Sequence, residues 1–119
     1  MLDKKELKNK YKQTLPKMGI FKITNLVNGK IFIGKGMNVP GKINSSKFQL
    51  NMGSHMNKEM QKDFKQLGEE KFSFEVVDYL DPKKDDEPGH DYTSDLSALE
   101  ELWLEKLQPY GERGYNDRK

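Results

Sequence analysis

Apolar and polar side chains alternate along this chain in short runs that give way to longer helical stripes. Residues 3–14 carry Leu7, Tyr11 and Leu15 at four-residue spacing and run into Pro16, which predicts a lysine-rich helical arm over 1–17 with a thin apolar stripe. Two β-branched runs follow, Met18–Asn25 and Lys30–Gly34. Asn28-Gly29 stands between them, and an Asn-Gly pair flanked by such runs predicts a β-hairpin. A two-residue turn there pairs residues whose numbers sum to 57, putting 21, 23, 25, 32 and 34 on one face. Phe21 and Phe32 then share a side of the hairpin. Any other even loop length keeps that parity.

Turn residues Gly36, Pro40 and Gly41 open the next segment, and Gly36–Gly53 reads as a helix without a clean stripe, since Ile43, Phe48 and Leu50 do not line up. From Asn57, an N-cap residue, to Leu67 a helix is predicted: Met56, Met60, Phe64 and Leu67 recur at helical spacing and Gly68 stops the run. Lys71–Leu80 alternates and then runs apolar, as a half-buried strand does, and residues 81–93 make a polar loop with two prolines. A last helix spans 94–108, with Leu96, Leu99, Trp103 and Leu107 on one face and Pro109 closing it. The order ββααβα predicts a small α+β domain, a hairpin plus one further strand flanked by helices.

Composition narrows the classes. With 34% hydrophobic residues the chain can build one modest core, and no stretch is long enough to span a membrane. The absence of cysteine excludes a disulfide framework, thiolate-bound zinc and a thiol nucleophile. The first residues show no apolar segment after their charges, so the expectation is a cytoplasmic protein. The net charge of +2 hides an asymmetry: residues 1–71 carry 15 lysines against 6 acids, and residues 72–119 carry 6 basic and 13 acidic side chains. Between Leu7 and Lys58 there are ten lysines and no acid, the electrostatic footprint of a phosphate-binding surface, or else a lysine-solubilised one. Only Arg113 and Arg118 are arginines. Lysine makes point contacts to phosphate rather than bidentate contacts to guanine, which favours a sequence-tolerant nucleic-acid partner. His55 and His90 have no partner at metal-ligand spacing and read as surface histidines.

Gly19-Ile20-Phe21 and Phe32-Ile33-Gly34, on the two predicted hairpin strands, resemble the tripeptides of the GIY-YIG nuclease family. The resemblance extends over 18–119. Lys35 follows the second tripeptide, Lys42 supplies a basic residue, Glu100 stands three residues before Trp103, and Gly114-Tyr115-Asn116 lies near the end. It implies the family's fold and a single-metal phosphodiester hydrolase acting on DNA, with Glu100 as the ligand of Mg²⁺ or Mn²⁺. A single carboxylate suits Mg²⁺, which keeps waters and takes its other ligands from substrate phosphate. Lys42 falls where the family has an arginine, and Asn116 in its terminal Gly-Tyr-Asn element. Ser45 and Ser46 correspond only by region to a further hydroxyl or imidazole.

The departures matter as much. Both motif tyrosines are phenylalanine, so Phe21 and Phe32 keep the rings and lose the hydroxyls. Acid–base help is worth ~10²–10⁴ in rate, so its loss cripples turnover unless another group substitutes. The two rings read either as core or as a surface that stacks on bases. Lys35 reads as a phosphate contact, a base or a solvent-facing lysine, and Glu100 as metal ligand or solvated helix residue. Two functions follow: a divergent metal-dependent DNA endonuclease with weakened activity, or a nuclease-fold nucleic-acid-binding protein without chemistry.

Overall fold

A computed structural model describes residues 17–81 and 91–117. The predicted arm helix, His90 and most of the polar loop therefore lie outside the described residues. Strands β1 (Met18–Asn25) and β2 (Ile31–Gly36) form the hairpin, followed by helices α1 (Val39–Met52) and α2 (Lys58–Leu67), strand β3 (Phe72–Leu80) and helix α3 (Thr93–Leu107). Short 3₁₀ turns, Glu69–Lys71 and Gly111–Arg113, precede β3 and the tail. The three strands pair antiparallel in the order β2-β1-β3. This is the small α+β fold that the sequence predicts.

β1 is central and buried on both sides, which explains its nearly unbroken apolar run. Its odd positions Phe21 and Ile23 pack with Val39 and Leu50 of α1 and with Met60 and Phe64 of α2. Its even positions Met18 and Ile20 pack with Ile33, Tyr92 and Leu96, backed by Leu99, Trp103, Leu104 and Leu107 of α3. The sheet thus carries α1 and α2 on one face and α3 on the other.

The hairpin pairs residues whose numbers sum to 55, not 57, because the loop has four residues, Leu26–Gly29. Asn25 is the cause. Its carbonyl accepts from Gly29 N–H, its own N–H donates to the Lys30 carbonyl, and its side-chain Oδ1 accepts from the Val27 and Asn28 N–H groups. An Asx turn therefore takes the bend that the Asn-Gly pair was expected to make alone, leaving Gly29 in the left-handed region at φ 80°. Because the change is even, Phe21 and Phe32 still share a face, their ring centroids 6.2 Å apart.

β3 has a bulge: Ile20 pairs with Asp78 and Phe21 with Val76, so Val77 is the extra residue. The insertion sends Phe74 and Val76 to the α1/α2 core, while Val77 and Leu80 join the α3 core and Asp78 accepts from Trp103 Nε1 at 3.0 Å. Gly19 lies against this bulge; a Cβ there would stand 2.2 Å from the Asp78 carbonyl oxygen. The first glycine of the Gly-Ile-Phe tripeptide is required by that close approach.

The tail returns to β2. Gly114 bridges Ile31, Tyr115 N–H donates to the Ile31 carbonyl, Asn116 Oδ1 accepts from Ile33 N–H at 2.8 Å, and Asn116 Nδ2 donates to the Ile33 carbonyl at 2.9 Å. Buried Tyr115 donates its hydroxyl to Asp63 at 2.7 Å and accepts from Asn25 Nδ2 at 2.9 Å, joining tail, α2 and hairpin loop.

Candidate active site

The recess on the α1/α2 face, about 360 Å³ in volume, is walled by Phe21 and Phe32 of the hairpin, by Lys42, Ser46 and Gln49 of α1, by His55, Met56 and Asn57 of the link to α2, and by Asn116 and Asp117 of the tail. Four of the six residues expected at the site from sequence, Phe21, Phe32, Lys42 and Asn116, are gathered here. Lys35 and Glu100 are not. They meet on the α3 side of β2, Nζ to Oε1 at 3.6 Å, with Lys35 Nζ also donating to Ser97 Oγ at 2.9 Å.

Each wall residue has a local reason for its place. α1 starts at Asn38, whose side chain accepts from Gly41 N–H, with Pro40 in the first turn where a missing N–H costs nothing. That start sets Lys42 beside Gly36, whose hydrogen-only α-carbon leaves room for the lysine stem. α1 ends at left-handed Gly53, and α2 begins at Asn57, whose Oδ1 accepts from Met60 N–H. The short link between these caps turns His55 inward, 6% exposed, with its ring edge-on to Phe32 at 5.7 Å. Phe21 is fully buried and lies over Gly34, where a Cβ would come 2.4 Å from its para carbon. Phe21 is core; Phe32, half-buried, is the ring that faces the recess. Asn116 spends both amide atoms on the Ile33 backbone, so it braces the wall rather than reaching into it.

His55 is thus not a surface histidine. Burial lowers its pKa below the ordinary imidazole value, and the Lys42 ammonium lowers it further. Its Nδ1 accepts from Asn57 N–H at 3.0 Å. Neutral His55 therefore carries its proton on Nε2, where it is a hydrogen-bond donor. In the sequence it lacked any partner at a recognisable spacing; the signal was its position between a helix-stopping glycine and a helix-starting asparagine. Ser97, which touches Lys35, carried no signal beyond standing one helical turn before Glu100.

No group of three or more His, Asp or Glu side chains able to hold a metal occurs among the described residues. A cation would rest on the single Glu100 carboxylate, 17% exposed, with water and a ligand's phosphate oxygens completing its shell, a donor set that suits Mg²⁺ or Mn²⁺. The basic run is also partly neutralised: Lys22 pairs with Glu75, Lys30 with Glu59 and Lys35 with Glu100, whereas Lys42 has no salt bridge among the described residues.

The backbone is similar to the catalytic domain of the homing endonuclease I-TevI, with a TM-score of 0.69 and 20% identity over 87% of this chain and all of that one. The fold is the GIY-YIG catalytic-domain fold. A Glu-to-Ala mutant of the I-TevI catalytic domain superposes similarly, with a TM-score of 0.66 and 21% identity over 84% of this chain and 92% of that one. The sequence matches no protein-family model and no curated protein. In this GIY-YIG fold the two tripeptides lie on adjacent antiparallel strands, as the resemblance implied. Among the described residues no helix is long and apolar enough to cross a membrane.

Proposed function

We propose that the chain is a divergent, metal-dependent nuclease domain that cleaves DNA phosphodiesters with weakened chemistry. The observation that carries the reading is the recess itself: in a fold shared with an endonuclease catalytic domain, an ammonium with no salt bridge among the described residues and a buried neutral imidazole face one cavity beside the motif strands. Lys42 offers a point charge to a non-bridging phosphate oxygen. His55 offers Nε2–H as a neutral donor to the same group. Glu100, on the α3 side of β2, would hold the divalent cation, which supplies charge neutralisation at a phosphate. The nucleic acid would then lie across the outer edge of β2 to meet the cation and the recess together.

The residues present support the expectation of weakened chemistry. Phe32 brings a ring without a hydroxyl, and the acceptor nitrogen of His55 is already bonded to Asn57, so neither takes a proton from water. Asp117 is the carboxylate remaining among the lining residues. Supercoiled-plasmid nicking in Mg²⁺ and in Mn²⁺ tests the reading. Slow nicking is expected from the wild type and none from Glu100→Ala; unchanged cleavage in that variant overturns it. Asp117→Asn is expected to slow the wild type. Phe32→Tyr is expected to accelerate it, by up to the ~10² at the lower end of acid–base assistance.

The missing hydroxyls also favour a second reading, a nucleic-acid-binding protein without turnover. It expects a silent wild type, nicking only after Phe32→Tyr, and salt-sensitive binding whose slope falls by about one for each phosphate-contacting lysine removed.

A further inference from the structure

Lys35, Ser97 and Glu100 form a small cluster whose geometry has a use beyond phosphate contact. Ser97 and Glu100 are three residues apart on α3 and so share one face of that helix. Lys35 reaches this face from the α3 side of β2. Its ammonium sits between the two, 2.9 Å from Ser97 Oγ and 3.6 Å from Glu100 Oε1. The hydrogen bond is the shorter and better defined contact, so the hydroxyl fixes the ammonium's position and the carboxylate receives its charge without being saturated by it. A half-exposed lysine on a flexible stem, held by one neutral hydrogen bond and one long ion pair, is readily displaced.

We propose that Lys35 is a tethered cation that occupies the approach to Glu100 in the resting protein, held there by Ser97, and that a divalent metal binds only as Lys35 is drawn away. This rests on the proposed role of Glu100. It adds a consequence that the role alone does not have: the free protein binds metal weakly. A phosphodiester that takes the Lys35 ammonium clears the carboxylate at the moment it brings its own oxygens as ligands. Metal and substrate then bind with positive coupling, because each favours the same displaced position of one side chain. Ser97 is the positioning residue of this arrangement.

The test uses a probe already in the chain. Trp103 is the sole tryptophan and stands three residues after Glu100 on α3, so a paramagnetic Mn²⁺ on that carboxylate quenches its fluorescence while Ca²⁺ controls for non-magnetic effects. Mn²⁺ is titrated into the full chain without nucleic acid. The expected result is weak quenching in the wild type and about three- to tenfold tighter binding in Lys35→Gln, from loss of the ion pair and of ammonium–metal repulsion. Ser97→Ala should lie between the two, and adding Glu100→Gln to Lys35→Gln should abolish quenching. Circular dichroism melts confirm that each variant is folded, and Lys35→Met replaces Lys35→Gln if the amide variant is not. Wild-type quenching matched by an unchanged affinity in Lys35→Gln overturns the tether and leaves Glu100 as the metal ligand. Absence of quenching in every variant, Lys35→Gln included, overturns both.

Discussion

Gly34 and Phe21 are a matched pair: the ring closes over a backbone that has no side chain, and together they make the floor beneath Phe32. Gly34→Ala drives a methyl into the ring, and overpacking of this kind costs ~1–3 kcal/mol. Urea unfolding should show that loss, and the Phe21→Leu background should shrink it, since contacting residues are coupled. The same tightness argues against restoring a tyrosine at position 21, where the hydroxyl would be added at the para carbon that already lies over Gly34.

Tyr115 is a second residue with a definite cost. Its hydroxyl satisfies buried Asn25 and bonds Asp63, so Tyr115→Phe orphans Asn25 Nδ2 and should destabilise by ~1–3 kcal/mol in urea. Burial, with Asp63 adding to it, pushes the Tyr115 pKa up to about 12 from 10.0. Between those values the unfolded chain has released the proton and the folded chain has not, so stability falls as pH rises through that window. His55 works in the opposite direction. Its lowered pKa means that below 6.5 the unfolded chain gains a proton before the folded one does, so stability falls as pH drops from there. Unfolding midpoints followed from pH 7 to pH 5 should show a shallower decline in His55→Gln than in the wild type.

At the scale of elements, what was legible depended on whether a segment buries one clean face. α2 was readable because Asn57, Met60, Phe64, Leu67 and Gly68 spell cap, stripe and stop. α3 was readable for the same reason through Leu96, Leu99, Trp103 and Leu107. α1 gave almost no stripe, since it buries Val39, Ser46 and Leu50 and leaves Phe48 and Met52 in solvent. Its polar buried position faces the recess, so the feature that blurred the pattern belongs to the site. The hairpin's facing survived a wrong loop length because only parity mattered. β3's bulge was not readable as a bulge, because the alternation of Phe72, Phe74 and Val76 gives way at Val77 to what reads in the sequence only as an apolar run, while the backbone there switches faces. His55 was missed for a related reason: the caps Gly53 and Asn57 stand beside it, but the Phe32 ring that completes its environment is distant along the chain.

Across the whole molecule, the acid-free run and the acidic second half meet as pairs over the sheet, Lys22 with Glu75 and Lys35 with Glu100. The sequence-level dipole is therefore partly cancelled on folding. The prediction is a modest dependence of nucleic-acid affinity on salt, with Lys42→Gln removing about one unit of slope and Lys22→Gln less, measured by titration across salt concentrations. The two faces also divide the labour of the domain. One holds the recess; the other holds Glu100 and Lys35, and β2 is the thin partition between them.

That partition is an outermost strand with a hydrophobic Ile31–Ile33 stretch, a template on which a second chain can stack its own backbone. The terminal Gly-Tyr-Asn run fills this position from within, and Asn116 does so with a side-chain amide that imitates a peptide unit. An amide that mimics backbone satisfies the strand and offers nothing further to pair with, so growth by strand addition stops there. Removing residues 114–119 would leave this edge bare, and light scattering should then register more self-association than the chain with those residues shows at the same concentration.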